Sequence, residues 1–388
     1  METPRRKLRN LHLENVQNNS TPIQVPPSPM LKTLGHGTGV SVYRLDRSPK
    51  QGHIRSPWAV KRITQRTRAT KDPLFNDRII HEAAILRKLN HPNIVGFRGI
   101  IKSAEGVEAL ALELCSTSLG FILEERHDED LGPLPAKQTF KLIIDIAQAL
   151  DFLHNEAKLL HGDLKSFNVL VKGEFEICKL CDFGVTLPLD ENGEINFHKN
   201  PQLAYVGTPL WSAPEIIDEV EIIDAKADIF SFGLIIYETL ALVPPHMLEL
   251  NDALNNSSGM ELDSSQEGSL QRKQLNYTDN SDVSTREAAA TGTDESVNSI
   301  KDATDYEDDD TKENDISDFV LNNLEQGYGT RPPLPVAFQL SDDYNCVVEL
   351  FYLCTNAQSE DRPAARTIWQ CFQKNAAVVC AAAEAGSD

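Results

Sequence analysis

Three side chains in the stretch from His161 to Val171 (HGDLKSFNVLV) have types and spacing that could do chemistry: Asp163, Lys165 and Asn168. They offer a carboxylate, an ammonium and an amide at offsets of zero, two and five. The set suits phosphoryl transfer. The carboxylate orients a hydroxyl, the ammonium steadies the moving phosphoryl group, and the amide helps to hold Mg²⁺. Lys61 could supply more. It closes the apolar run Trp58-Ala59-Val60, where a cation has a poor structural excuse, and it could contact phosphate oxygens while pairing with a distant acid. Asp182 begins Asp182-Phe183-Gly184, 19 residues beyond Asp163. Two acids at the ends of adjacent short strands can share a metal-bound phosphate site. Taken singly, each has a plainer explanation: a polar loop, a strand end, a turn.

These residues need elements to position them. LGHGTGVSVYRL, from Leu34, reads as strand, glycine-rich turn, strand, with Val40, Val42 and Leu45 alternating. Gly35, Gly37 and Gly39 would let backbone N–H groups approach phosphate oxygens, although a plain hairpin explains the pattern equally well. A polar loop is expected over Ser48 to Ser56, then a short strand at Trp58 to Lys61. The run Pro73 to Leu89 places Ile79, Ala83, Leu86 and Leu89 at helical spacing. Its Glu82 is either an exposed helix residue or the acid that positions Lys61. Glu108 to Leu114 alternates as a strand, with Leu112 and Glu113 where it runs out into a connector. Ile177 to Leu180 is a further short strand. Helices are expected at Leu119 to Arg126, Pro135 to Asn155, Lys226 to Leu240, Tyr344 to Thr355 and Ala364 to Asn375. Asp228, near the start of the strongly apolar Lys226 run, is placed to hold backbone N–H groups of a neighbouring loop.

The chain has 388 residues and a net charge of −21. Between His246 and Tyr328 stand 20 Asp and Glu against 5 Lys and Arg, leaving only −6 for everything else, so the acidity belongs to one segment. That segment lacks periodicity and reads as a disordered insertion, either a solvated tether or a docking arm for a basic partner. Met1 to about residue 30 reads as a disordered arm. Its Thr3-Pro4-Arg5-Arg6 suits an upstream proline-directed kinase as substrate, or is a chance pair in a Pro-rich tail. Seven cysteines without a regular framework, a polar basic start and no apolar run of transmembrane length together predict a protein of the cytoplasm or nucleus with reduced thiols. The Cys178-x-x-Cys181 pair lacks a second pair at zinc-like spacing and is expected to be ordinary strand sequence.

Glycine turn, Ala59-Val60-Lys61, Glu82, HGDLKSFN, DFG, Ala213-Pro214-Glu215, DIFSFG and Asp361-Arg362-Pro363 stand in the order of a eukaryotic-like protein kinase domain, which the chain resembles over about residues 31 to 375. Finer segments, among them LGHGTGVSVY, SPWAVK, LPLDEN and GTRPP, resemble the PDZ-binding kinase family, itself similar to MAP kinase kinases. The resemblance implies an α+β, two-lobed protein kinase fold. An antiparallel-sheet N-lobe (about 31–113) would pack over a mainly helical C-lobe (about 118–375) that carries the acidic insertion (about 246–328), with a tail from 376 to 388. It implies ATP and Mg²⁺ as cofactors and Ser/Thr phosphorylation, or dual specificity, on protein substrates that include MAP kinases, in mitotic or stress signalling. Nucleic acid and membrane are not expected partners.

By the same resemblance, Asp163 is the catalytic base and Lys165 the γ-phosphate contact. Lys61 binds the α- and β-phosphates and pairs with Glu82, and Asn168 and Asp182 are the metal ligands. Leu34, Gly35, Gly37, Gly39, Val42, Ala59, Leu112 (the gatekeeper), Glu113 and Leu114 surround the nucleotide. Leu86, His161 and Phe183 stack between the lobes, Glu215 pairs with Arg362, and Asp228 braces the catalytic loop. The chain also departs from the pattern. Val40 stands where the third glycine is usual, and Gly162 replaces the Arg that precedes the catalytic Asp and normally meets an activation-loop phosphate. The C-terminal Asp388 lacks the apolar side chain a PDZ ligand needs, which argues against PDZ binding there. The competing reading is a catalytically weak scaffold that uses the fold and the acidic insert to bind partners; the presence of Lys61, Glu82, Asp163, Asn168 and Asp182 together speaks for the enzyme.

Overall fold

The computed structural model describes residues 32–37, 40–50, 53–64, 73–102, 108–250, 324–335 and 340–374. The chain starts with β1 (Lys32–Gly37), β2 (Val40–Lys50) and β3 (His53–Ile63), then α1 (Pro73–Leu86), β4 (Phe97–Lys102) and β5 (Glu108–Glu113). The strands form one antiparallel sheet in the order β1-β2-β3-β5-β4. Alternation assigns its two faces. Ala59, Leu110 and Leu112 join the main core with α1, through Ile79, Ala83 and Leu86. Leu45, Trp58, Val60, Ala109 and Ala111 form a second, smaller cluster on the other face.

Where a polar loop is expected over Ser48 to Ser56, the described residues 48–50 and 53–56 are instead paired strand. Lys50 pairs with His53 and Arg47 with Arg55. Side-chain polarity hid this, because strand pairing is made by backbone groups. Arg47 contributes as well, its guanidinium lying 3.9 Å from the centroid of the Trp58 ring. The helix expected to reach Leu89 ends at Leu86.

The second half begins with β6 (Thr117–Ser118), α2 (Leu119–Asp128) and α3 (Ala136–Asp151). Ser118 caps α2 through the Phe121 amide. A π-helical turn over Phe152–Ala157 extends α3 and ends at Lys158 with φ 55°. Short strands follow: β7 (Leu159–Leu160), β8 (Val169–Lys172), β9 (Ile177–Leu180), β10 (Leu187–Pro188) and β11 (Glu194–Asn196). Then come α4 (Pro214–Ile217), β12 (Ile222–Asp224), α5 (Lys226–Ala241), α6 (Asn345–Cys354) and a final helix over 365–374. Every residue of α5 from Ala227 to Ala241 is buried, as a helix apolar all round requires. Gly233 lets α6 approach it: a Cβ there would lie 2.7 Å from Thr355 Cγ2 and 2.8 Å from Cys354 Cβ.

The halves are joined where Val95 N donates to Leu180 O (2.9 Å) and Leu180 N to Asn93 O (2.8 Å). Cys178 and Cys181 are free thiols, the former buried in β9. Among the described residues no helix is long and apolar enough to cross a membrane. The N-terminal arm with Thr3, the C-terminal tail with Asp388 and most of the acidic stretch lie outside the described residues. The flanks of that stretch lie inside them and are packed: Met247, Leu250 and Leu324 are buried. His246 joins the two flanks. It hydrogen-bonds Glu249 (2.6 Å) and the Thr330 carbonyl (3.3 Å), and a Cβ on Gly327 would stand 2.6 Å from its ring.

Candidate active site

The six polar residues picked out by spacing converge between the sheet and the helical half. Lys61 lies on β3 and Glu82 on α1; they are 21 residues apart in sequence and 3.0 Å apart in space, Nζ to Oε2. Lys61 Nζ also donates to Asp182 Oδ1 at 2.7 Å. Burial alone would discharge Lys61, but the facing Asp182 and Glu82 outweigh it and hold the ammonium well above the usual lysine range. Burial also opposes the charge of Asp182, yet Lys61 prevails and keeps that carboxyl below the usual range. Glu82, the most buried of the three, is pushed up to about 7 because its desolvation exceeds the attraction of Lys61. Asp182 adopts φ 63°, and its side chain stays 38% exposed, so it faces the cleft while Lys61 and Glu82 are enclosed.

On the opposite wall, Asn168 ties the loop to itself. Its Nδ2 donates to the Asp163 carbonyl (2.7 Å) and to Asp163 Oδ2 (3.0 Å). Asp163 Oδ1 accepts from the Thr208 amide (3.1 Å) and hydroxyl (2.6 Å), and Lys165 Nζ donates to the same hydroxyl at 2.9 Å. Lys165 Nζ is 3.4 Å from Asp163 Oδ2. From beneath, Asp228 on α5 accepts from the amides of His161 (2.8 Å) and Gly162 (3.0 Å), and from His154 (2.8 Å). Asp228 therefore orders the backbone that carries Asp163, as its place at a buried helix start suggested. His161 and Phe183 lie ring to ring at 5.0 Å, both buried with Leu86.

The apolar residues expected around a nucleotide pack against one core. Ala59 and Leu112 pair across β3 and β5 and are buried, while Leu34, Val42 and Leu114 are half-buried against the same core. Gly35 pairs with Val42 and Gly37 with Val40, which gives the expected hairpin. Gly39 lies outside the described residues. Glu113 needs a narrower role. Its amide is committed to the Gly96 carbonyl (2.7 Å), and its carboxylate turns to Lys179 (3.2 Å) and Lys172 (3.3 Å), tying β5 to β8 and β9. Those cations hold it below the usual range against the cost of burial.

The family model for the protein kinase domain matches residues 29–368. The human lymphokine-activated killer T-cell-originated protein kinase is 36% identical over 356 residues, 91% of this chain and 92% of that protein. The chain belongs to the protein kinase family. It also shares 34% identity over 168 residues with MAP3K epsilon protein kinase 1 of Brassica napus, and 30% over 229 residues with dual specificity protein kinase shkD of Dictyostelium discoideum. Those stretches are 43% and 58% of this chain but only 12% and 28% of the two relatives. Use of ATP with a divalent metal, and protein substrates, follow from the family.

As in the resemblance, Glu215 and Arg362 form a two-pronged pair at 2.6 and 2.8 Å. Three sets of contacts at the site were not read from the sequence. Thr208 touches Asp163 from 45 residues away, too far for spacing to reveal. Glu238 accepts from Ser166 Oγ (2.5 Å) and Trp211 Nε1 (2.9 Å), fixing the catalytic loop to α5. Burial pushes it up to about 7, with those bonds only partly opposing. An acid inside the apolar run FGLIIYETL was a signal for it. Phe121 and Phe167 pack edge to face at 5.4 Å, and the Phe121 ring reaches toward Gly35 at the cleft rim.

Proposed function

We propose that this chain is an active protein kinase that transfers the γ-phosphoryl group of ATP, with Mg²⁺, to Ser or Thr hydroxyls of protein substrates. The observation that carries the reading is the convergence of Lys61, Glu82 and Asp182 with Asp163, Lys165 and Asn168 on one cleft. The donor chemistry suits a hard divalent cation. Asp182 offers an ionised, partly exposed carboxylate, and Asn168, its nitrogen engaged by Asp163, presents its amide oxygen. Bound there, ATP would supply the phosphoryl group and Mg²⁺ would neutralise charge on its oxygens.

The chain's own residues do the rest. Lys61, held charged, binds phosphate oxygens, and Glu82 fixes its position. Asp163 orients the acceptor hydroxyl and takes its proton at Oδ2, the oxygen not engaged by Thr208. Lys165 stabilises the charge beside it. On the family resemblance, Lys165 with Thr208 marks the Ser/Thr-directed version of the site; Tyr as a second acceptor is the finer possibility raised by that resemblance and by relatives named as dual specificity kinases. We infer MAP kinase pathway members as the substrate class, and mitotic or stress signalling in cytoplasm or nucleus as the setting, on the resemblance and on the names of the MAP3K relatives. The test is phosphate incorporation into a peptide array by purified wild type, Asp163→Ala and Lys61→Met. Turnover should be lost in both variants with folding retained. Equal turnover by all three would remove the enzymatic reading, and nucleotide binding without any Asp163-dependent turnover would favour a scaffold.

A further inference from the structure

Between Phe183 and Gly207 only two side chains carry a hydroxyl, Thr186 and Tyr205. Thr186 is buried, at 2% exposure. This stretch must nevertheless be held in shape, because its far end delivers Thr208 to Asp163. Part of the support is visible along its length. β10 pairs with β7, and Leu189 N donates to Lys158 O (2.9 Å). β11 pairs with β12, and Ile195 is buried. Asp190 Oδ1 closes the turn between these anchors by accepting from Asn192 N (2.8 Å) and Glu194 N (3.0 Å).

The last anchor is the Tyr205 ring. A Cβ on Gly207 would stand 2.4 Å from the Gly162 carbonyl oxygen and 2.5 Å from Tyr205 Cε1. A Cβ on Gly162, whose φ is 79°, would stand 3.3 Å from the Val185 carbonyl and 3.9 Å from Tyr205 Cε2. Two glycine backbones thus meet directly, and the ring covers the junction, with its hydroxyl hydrogen-bonded to Ser212. Burial raises the phenol well above the usual range, with Asp228 and Asp163 adding to it. Gly162 has no side chain to receive a phosphate, and the half-buried Tyr205 beside it has its hydroxyl hydrogen-bonded to Ser212.

We propose that Tyr205 is a positioning residue, the wedge that seats the Gly207-Thr208 turn on the catalytic loop, and that this segment reaches its working form with no phosphate on it. The ring sets the height of Gly207 over Gly162, and Gly207 sets where the Thr208 hydroxyl meets Asp163. Losing the ring opens a void at the junction and frees the turn, while losing only the hydroxyl keeps the wedge.

The proposal rests on the kinase reading. The full-length protein, Tyr205→Phe, Tyr205→Leu and Asp163→Ala would be compared for peptide kcat/KM, ATP KM and melting temperature, with residues 183–207 of the active wild type mapped for phosphate by mass spectrometry. The expected result is no phosphate in that stretch, Tyr205→Phe within about threefold of wild type, and Tyr205→Leu at least about tenfold lower in peptide kcat/KM with ATP KM within about twofold. A merely structural ring would lower activity only in proportion to unfolded protein, which the melting curve separates. Wild-type activity in Tyr205→Leu would overturn the proposal, as would stoichiometric phosphate on Tyr205 or Thr186 in the active enzyme. If Tyr205→Leu does not fold, Tyr205→Phe decides with the phosphate map: inactivity of the folded Phe variant overturns the wedge. An inactive wild type sinks the kinase reading itself, whereas an active wild type indifferent to Tyr205→Leu sinks this inference alone.

Discussion

Thr208→Ala tests the site at its least expected contact. Thr208 is 5% exposed, and its hydroxyl donates to Asp163 Oδ1 at 2.6 Å while accepting from Lys165 Nζ at 2.9 Å. Both are bonds to charged groups, for which ~1.5–3 kcal/mol is typical. The Thr208 amide still reaches Asp163 Oδ1 at 3.1 Å in an alanine variant, which argues for the lower half of that range. At about 1.4 kcal/mol per tenfold in rate, kcat should fall about 10–50-fold. The assay is steady-state phosphorylation of a Ser/Thr peptide at saturating ATP, with Thr208→Ser alongside. The serine variant keeps both bonds and should stay within about threefold of wild type. A Thr208→Ala enzyme within about threefold of wild type would refute the argument, as would a Thr208→Ser enzyme as slow as the alanine variant.

Arg362 is fully buried, and besides Glu215 it donates to the carbonyls of Asn356, Lys226 and Ala357. Arg362→Met should cost about 3–5 kcal/mol and lower the melting temperature on the order of 10 °C; a shift under about 2 °C would contradict it. Glu238, raised to about 7 in the folded protein, binds more protons folded than unfolded, so its contribution to stability falls as pH rises from the unfolded value near 4.5 through about 7. The melting temperature of wild type relative to Glu238→Gln should therefore drop between about pH 5 and 7 and level off above; a difference independent of pH would remove the argument. At Gly233, alanine gains about 1 kcal/mol of helix propensity but collides with Thr355 and Cys354, so a net loss of about 1–2 kcal/mol is expected by chemical denaturation, and a stabilised variant would contradict the close approach.

What the sequence made legible followed from misfits. Lys61 at the end of an apolar strand and Asp228 in an apolar helix each needed a partner, and each has the one expected. The strands and helices that carry them were periodic enough to be read to within a few residues. The polar strand ends at 48–50 and 53–56 were not, because their order comes from backbone pairing and from Arg47 lying over Trp58. Contacts that cross from one end of the chain to another, such as Thr208 with Asp163, have no local signature. Glu238 and Lys179 did have one, a charge inside an apolar run. Lys179 donates to the Pro92 carbonyl as well as pairing with Glu113, so the misfit argument that found Lys61 applied to it too.

The His246 junction has a consequence for how this chain can change. With Met247, Leu250 and Leu324 buried on either side and His246 against Gly327 and Thr330, the two points where residues 251–323 leave and rejoin the domain are fixed by the domain itself. The anchors are therefore part of the domain's own packing: a substitution at His246 or a side chain at Gly327 would be felt at the buried Met247, Leu250 and Leu324 rather than in the acidic stretch between them.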